Sequence, residues 1–175
     1  MNRLAQCHCG SLRANISGDP LMVSLCHCRD CQRRTGASAG SGAIFQKAQV
    51  TIEGDRRVFE RDGQEGRKVR FHFCPSCGTS LYWEGDFRPG WCVVAVGAFA
   101  DPTFPPPSMS VFEESKHAWV QLPDGMKHAQ RGVLSSTAKV DAEPRDDQLW
   151  LARRGVARFG RASDGSVHAD MIRIT

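Results

Sequence analysis

The chain has 175 residues, 41% apolar and 24% charged, with 17 Gly, 9 Pro and a formal charge of +4. That length and apolar share suit one domain with a small appendage and exclude a disordered chain; no heptad or Gly-X-Y repeat supports coiled coil or collagen. No apolar run is long enough to span a membrane, and Met1-Asn2-Arg3-Leu4-Ala5-Gln6-Cys7 lacks the apolar stretch of a secretory signal, so a cytoplasmic location is expected.

In chain order, Cys7-His8-Cys9 comes first. Leu12, Ala14 and Ile16 then alternate with other residues up to Gly18-Asp19-Pro20, the period of a half-buried strand. Residues 22–25 are a short apolar run leading into Cys26-His27-Cys28-Arg29-Asp30-Cys31. Residues 30–35 predict one helical turn, stopped by Gly36. Gly40, Gly42, Gly54, Gly63, Gly66, Gly85 and Gly90 punctuate the chain beyond this turn. Between them, Val69, Phe71 and Phe73 alternate with Arg70 and His72 and run into Cys74-Pro75-Ser76-Cys77. Residues 91–96 predict a buried strand, with Cys92 as a core thiol. Pro102, Pro105, Pro106 and Pro107 make residues 101–108 an extended surface connector. Many short strands between Gly-rich turns predict a mainly β, sandwich- or barrel-like architecture.

Residues 131–175 form an extension to a domain spanning 1–130. Pro144 and Asp146 precede Leu149-Trp150-Leu151-Ala152, and Arg153-Arg154-Gly155 come next, the signature of a short helix. Residues 156–163 and 166–175 flank Asp164-Gly165, which suits a two-residue hairpin turn. Apolar residues such as Trp150, Phe159 and Ile172 predict that this helix and hairpin pack on the β core.

Seven of the eight cysteines fall in three tight clusters. Disulfide frameworks spread their cysteines, and no secretory signal points to an oxidising compartment, so metal binding is the better reading. Zinc takes four ligands, sulfur at about 2.3 Å. A C-x-x-C turn brings two thiolates to one ion; Pro75 fixes φ there and Gly78 permits a left-handed position. Cys26, Cys28 and Cys31 can share one ion, which leaves Cys7 and Cys9 to join Cys74 and Cys77. One site is then closed with four sulfurs, the composition of structural zinc. The other has three sulfurs and an open position, as in catalytic zinc. Spacing alone leaves other pairings of the clusters open. Seven thiolates and two divalent ions together subtract three charges from the formal +4, leaving +1. No block of five or six Lys/Arg is present, so nucleic acid is not the expected partner.

The segments C-H-C-G-S-L-R at 7–13, C-H-C-R-D-C-Q-R-R-T-G-A at 26–37 and F-C-P-S-C-G-T-S-L at 73–81 carry a resemblance, as do Ser115-Lys116-His117-Ala118-Trp119 and Pro123-Asp124-Gly125. Together they resemble the glutathione-dependent formaldehyde-activating enzyme family, also called the centromere protein V family, over roughly residues 1–130. The resemblance implies an Mss4-like zinc-bound fold of several short antiparallel strands. It implies up to two zinc ions, a structural one on Cys7, Cys9, Cys74 and Cys77 and a catalytic one on Cys26, Cys28 and Cys31. It further implies a carbon–sulfur lyase acting on an adduct of glutathione, or a similar thiol, with a small aldehyde; in the founding enzymes formaldehyde adds to glutathione to give S-hydroxymethylglutathione. Centromere-associated relatives supply the alternative, a non-enzymatic zinc-stabilised binding module.

Three thiolates make a bound zinc a weak Lewis acid, which favours activation of a thiol over polarisation of a carbonyl. Arg29, Arg33 and Arg34 surround the three-sulfur cluster and together offer guanidinium groups to the carboxylates of such a thiol. His8 and His27, the middle residues of C-x-C pairs, are expected to point outward; His27, beside the open position, is also a candidate for proton transfer. His72 should face away from Phe71 and Phe73. Lys47, Arg56, Arg57, Arg67, Lys68 and Arg70 read as solvated strand and turn faces. No general acid or base is evident. The tail offers either a cover for the site or the surface of a homodimer. If residues 145–175 pack as expected, amides from Val156 to Ile174 will exchange with deuterium far more slowly than those of an unfolded peptide; unprotected exchange overturns this.

Overall fold

The computed structural model describes residues 1–63 and 66–132, with the backbone of two later strands at 157–161 and 167–171. The chain divides into two compact units, Met1–Leu134 and Ser135–Thr175. The first holds two sheets. Strands β1 (Asn2–Gln6), β2 (Arg13–Ser17) and β5 (Val50–Glu53) form a small antiparallel sheet in the order β1-β2-β5. The larger sheet contains β3 (Met22–Cys26), β4 (Gly40–Gln46), β6 (Arg57–Asp62), β7 (Lys68–Phe73), β8 (Ser80–Gly85), β9 (Trp91–Ala95), β10 (Met109–Val111) and β11 (Lys127–His128). Its order is β11-β10-β3-β4-β9-β8-β7-β6. One helix, α1 (Arg29–Thr35), comes after β3; Gly36 ends it in a left-handed conformation, as its position in the sequence predicts.

Alternation along the strands gives the large sheet two faces, because directly paired residues lie on the same side. Ala43 pairs with Val94, Phe45 with Cys92, Tyr82 with Val94, and His72 with Tyr82. These residues form the inner face, and most belong to one apolar cluster with Ala5, Leu12, Ala14 and Ile16 of the N-terminal segment. Phe45 is fully buried, and enclosing a side chain of that size stabilises by about 1.5–3 kcal/mol. Gly42, Ile44, Val93, Trp83 and Phe71 alternate onto the opposite, outer face. Cys26 pairs with Gly40, two residues from Gly42, and so lies on that outer face too.

The predicted strands at 12–16, 22–25, 69–73 and 91–96 all form. Three points differ from expectation. Gly40 and Gly42 do not punctuate a turn but lie inside β4, at the centre of the large sheet. The reason is close packing: a Cβ on Gly42 would stand 2.7 Å from both Trp83 Cζ2 and Val93 Cγ1. The strands are not all antiparallel, since β10 runs parallel to both β3 and β11. In the second unit, β12 (Ala157–Arg161) and β13 (Val167–Met171) pair antiparallel. Arg161 pairs with Val167, leaving five residues between them. That odd number does not fit the expected two-residue turn at Asp164-Gly165, which would pair Arg161 with His168. The turn and the expected helix at 144–155 lie outside the described residues.

Residues 101–108 are a connector as expected, anchored by Phe104, which is buried against Phe99 with ring centroids 4.4 Å apart. Among the described residues no helix is long and apolar enough to cross a membrane.

The packing at Gly42 is testable. Gly42→Ala forces a methyl against Trp83 and should cost about 1–3 kcal/mol, read as a lower Tm. Gly97→Ala meets no atom within 4 Å and should leave Tm nearly unchanged. Equal Tm values for the two variants would contradict the packing described.

Candidate functional site

The first cysteine cluster is built by two turns of the same design. In the turn between β1 and β2, Gly10 N–H donates to Cys7 O at 2.9 Å and Cys7 N–H donates to Leu12 O at 2.9 Å. In the turn between β7 and β8, Gly78 N–H donates to Cys74 O at 2.9 Å and Cys74 N–H donates to Thr79 O at 3.0 Å. Gly10 and Gly78 take φ of +76° and +73°, the left-handed position that lets each turn double back. A hydroxyl residue comes after each glycine, Ser11 and Thr79.

These turns bring Cys7, Cys9, Cys74 and Cys77 together, with all four sulfurs within 4.8 Å of one another. The Sγ separations of Cys7–Cys9 and Cys9–Cys74 are both 3.6 Å. A tetrahedral ion with sulfur at 2.3 Å requires sulfurs about 3.8 Å apart. The donor set therefore fits a zinc-sized ion. Ser11 Oγ lies 3.0 Å from Cys9 Sγ and 3.2 Å from Cys74 Sγ, and its hydrogen bond holds the Cys74 thiol below its ordinary pKa. Thr79 Oγ1, 3.3 Å from Cys77 Sγ, holds that thiol down to about 5. Leu12 N–H adds a donor to Cys7 Sγ at 3.2 Å. Neither hydroxyl was an expected participant; the signal for both is the shared C-G-[S/T] triplet. Cys7 and Cys74 belong to the buried apolar cluster, so this site is part of the core.

The second cluster joins the end of β3 to α1. Cys26, Cys28 and Cys31 place their sulfurs within 4.8 Å of one another, each half-buried. Cys28 caps the helix, its sulfur accepting from Cys31 N–H at 3.4 Å. Hydrogen bonds from the Cys26 and Cys31 thiols favour a thiolate at Cys28, and the same contact with Cys28 pushes the Cys26 thiol up. Three sulfurs sharing one proton-poor centre are the donor set of a soft cation. Among the described residues no fourth side chain of ligand type joins this cluster.

Of the three arginines expected here, the structure brings one to the outer face of the sheet. Arg29 and Arg33 are exposed on α1, and Arg33 reaches Asp30 at 4.0 Å. Arg34 lies over the rings of Phe71 and Trp83, its guanidinium carbon 4.7 Å from each centroid. Cation–π contact of this kind contributes about 0.5–2 kcal/mol and fixes the group's plane. A second cation joins it that the sequence pattern does not single out. Arg61, on β6, lies 5.5 Å over Phe71 and 3.3 Å from Asp30. Its pairing opposite Val69, two residues from Phe71, is a register fact and has no local sequence signal. Gly40 lets these groups pack close against β4: a Cβ there would stand 3.3 Å from Cys31 Cβ, 3.4 Å from Arg34 Nη2 and 3.7 Å from Cys31 Sγ.

The expectation that His27 points outward is wrong. The residue is fully buried, and neither ring nitrogen has a hydrogen-bond partner among the described residues. Its backbone N–H donates to Val111 O at 3.0 Å, and the Gln32 side-chain amide ties His27 O to Ser115 O at 2.7 and 2.9 Å. The segment around 111–115 thus covers it, and burial lowers the imidazole's pKa. His72 faces away from Phe71 as expected, stacking on Tyr82 with centroids 4.2 Å apart. Cys92 is a buried core thiol, its pKa pushed up to about 12 by burial.

A mainly β scaffold carrying one four-thiol and one three-thiol cluster defines a protein with two candidate metal centres of unlike composition. Residues 2–115 match the glutathione-dependent formaldehyde-activating enzyme family, and the chain belongs to that family, whose fold is Mss4-like. No curated protein matches the chain. A crystal structure of a Rhodobacter sphaeroides protein is similar over 72% of this chain and 98% of its own, at 18% identity and a TM-score of 0.45.

The two clusters should respond differently to mutation. The first joins Cys9 to Cys74, 65 residues apart, and a structural metal of this type contributes about 10 kcal/mol or more, comparable to a domain's whole stability. Cys74→Ser should therefore leave the protein largely unfolded or insoluble. The second cluster closes only residues 26–31, so Cys28→Ser should fold with a circular dichroism spectrum near wild type and about one equivalent less zinc. Elemental analysis of wild type should give between one and two zinc per chain. Loss of fold in both variants would erase the distinction between the clusters, and less than half an equivalent of zinc with paired cysteines would remove the metal reading.

Proposed function

We propose that this protein is a zinc-dependent carbon–sulfur lyase that makes or breaks the bond between a glutathione-like thiol and a small aldehyde. The single observation that carries the reading is the meeting of Cys31 Sγ and Arg34 Nη2 around the bare Cα of Gly40. A sulfur of the three-thiol cluster and a guanidinium fixed on Phe71 and Trp83 stand side by side against β4 there, which suits a ligand with both a thiol and a carboxylate. Family membership supplies the class of thiol and aldehyde.

Cys26, Cys28 and Cys31 would hold the catalytic zinc, and Cys7, Cys9, Cys74 and Cys77 the structural one. Held by these three thiolates, the ion would lower the pKa of a substrate thiol toward neutral pH. Arg34 binds a substrate carboxylate, and the Phe71 and Trp83 rings keep its guanidinium from turning away. Arg61 adds positive charge on the same side; Arg29 and Arg33, exposed on α1, stay outside this set. In the forward direction the sulfur–carbon bond forms, the aldehyde C=O becomes C–OH, and the thiol proton ends on that oxygen; the reverse breaks the same bonds. Among the described residues no general acid is assigned, and this proton is given to solvent. Eight unpaired thiols suit a reducing compartment such as the cytoplasm.

Turnover of S-hydroxymethylglutathione, measured as formaldehyde release, is the test. Cys28→Ser should abolish it while the protein remains folded. Arg34→Gln should raise KM by roughly tenfold or more, the effect of losing a charge-assisted hydrogen bond, and change kcat less. A folded, zinc-loaded wild type with no turnover across a panel of thiols and aldehydes would replace this reading with the non-enzymatic binding module.

A further inference from the structure

The inner face of the large sheet holds a second polar site, whose lining includes none of the seven clustered cysteines. A cavity of about 170 Å³ lies between β5 and the strands β7, β8 and β9. His72 is one of its walls. This imidazole is 9% exposed, and neither of its nitrogens has a hydrogen-bond partner among the described residues. A buried polar group without a partner costs about 1–3 kcal/mol, so the position calls for something to bind it. Alternation sends His72 and Tyr82 inward while Phe71 and Trp83 go outward; the sheet itself therefore separates this cavity from the outer face that carries Arg34.

We propose that this cavity binds a small organic monoanion, a monocarboxylate, with its charged end at Arg56 and His72 and its hydrocarbon end against Val50 and Ile52. Charge argues for one negative charge. Lys47 Nζ is 3.1 Å from Glu84 Oε1, so these two lining residues neutralise each other. Arg56 remains, with no hydrogen bond or ion pair to another described residue, and a guanidinium holds a carboxylate through two parallel hydrogen bonds. Burial raises the Tyr82 pKa to about 12, so its hydroxyl keeps its proton and brings a donor, and the unpartnered His72 ring brings another. Size argues for a compact molecule: an engineered cavity of roughly 150 Å³ accepts benzene. A wholly apolar ligand would leave the His72 nitrogens unpaired, and a dianion would carry a charge that nothing in the lining offsets.

Calorimetric titration of the full-length, zinc-loaded protein with acetate, propionate and benzoate tests the site. Saturable binding in the millimolar range or tighter is expected for at least one of them. Arg56→Gln, a change at an exposed position, should weaken it by roughly tenfold or more, and His72→Phe, which keeps the stack on Tyr82, should abolish it. Arg34→Gln should leave it unchanged, and chloride at equal ionic strength should not displace the carboxylate, because it cannot use the apolar walls. Thiol-adduct turnover should be unaffected by Arg56→Gln. If none of the three acids binds, the cavity holds water only and the proposal fails. It fails equally if binding survives Arg56→Gln, if binding is lost in Arg34→Gln, or if chloride competes fully. Should His72→Phe not fold, the Arg56→Gln and chloride results still decide. The carboxylate site does not depend on the lyase activity, so either can fail alone.

Discussion

The convergence of four sulfurs from two turns is the constraint that orders the whole molecule. Cys7 and Cys9 leave the small sheet, and Cys74 and Cys77 leave the large one, so a metal held between them fixes one sheet to the other. The apolar cluster beneath is modest in size, built from short strands and several alanines. Small cores of this kind commonly need a staple, and a closed thiolate site is an effective one. The two turns achieve it with the same elements: a left-handed glycine, a carbonyl that accepts from it, and a hydroxyl beside the sulfurs. Ser11 and Thr79 thus belong to the site as much as the cysteines do, since their hydrogen bonds lower the Cys74 and Cys77 pKa and favour the thiolates.

With the sheets fixed, the period of two in β7, β8 and β9 divides the chemistry. Phe71 and Trp83 go to the outer face and serve as a platform for Arg34. Their neighbours His72 and Tyr82 go to the inner face and line a cavity. A single register therefore sets both environments, and a one-residue slip in β8 would send Tyr82 outward and Trp83 inward. The glycines of β4 answer to the same geometry. Gly42 is small because Trp83 occupies the space above it, and Gly40 because Cys31 and Arg34 pack close against it.

The two buried imidazoles show how much the environment decides. Both His27 and His72 are shielded from solvent with no partner for either nitrogen, and burial disfavours the charged form of each. His27 is sealed beneath the backbone around residues 111–115, next to the three-sulfur cluster. His72 borders a cavity large enough for a ligand. The same side chain stands in a closed position in one case and beside a cavity in the other.

Local spacing governs the parts of this protein that are legible before the chain folds. The cysteine clusters, the alternating strands at 12–16 and 69–73, the helical stop at Gly36 and the core position of Cys92 each depend on a few consecutive residues, whose chemistry admits few conformations. Family membership was legible for the same reason, because the motif segments are short and contiguous. Features that depend on residues far apart in the chain were settled by the fold. β4 was hidden because its glycines answer to Trp83 and Val93 rather than to a turn. The parallel pairing of β10 with β3 joins Met109 to Ser24 and has no local mark. Arg34 was separated from Arg29 and Arg33, and Arg61 and Arg56 were given their places, by sheet register and by the side of the sheet each side chain reaches. Side-chain neighbours across a sheet are set by pairing between strands, and a linear pattern does not contain that pairing until the chain has folded.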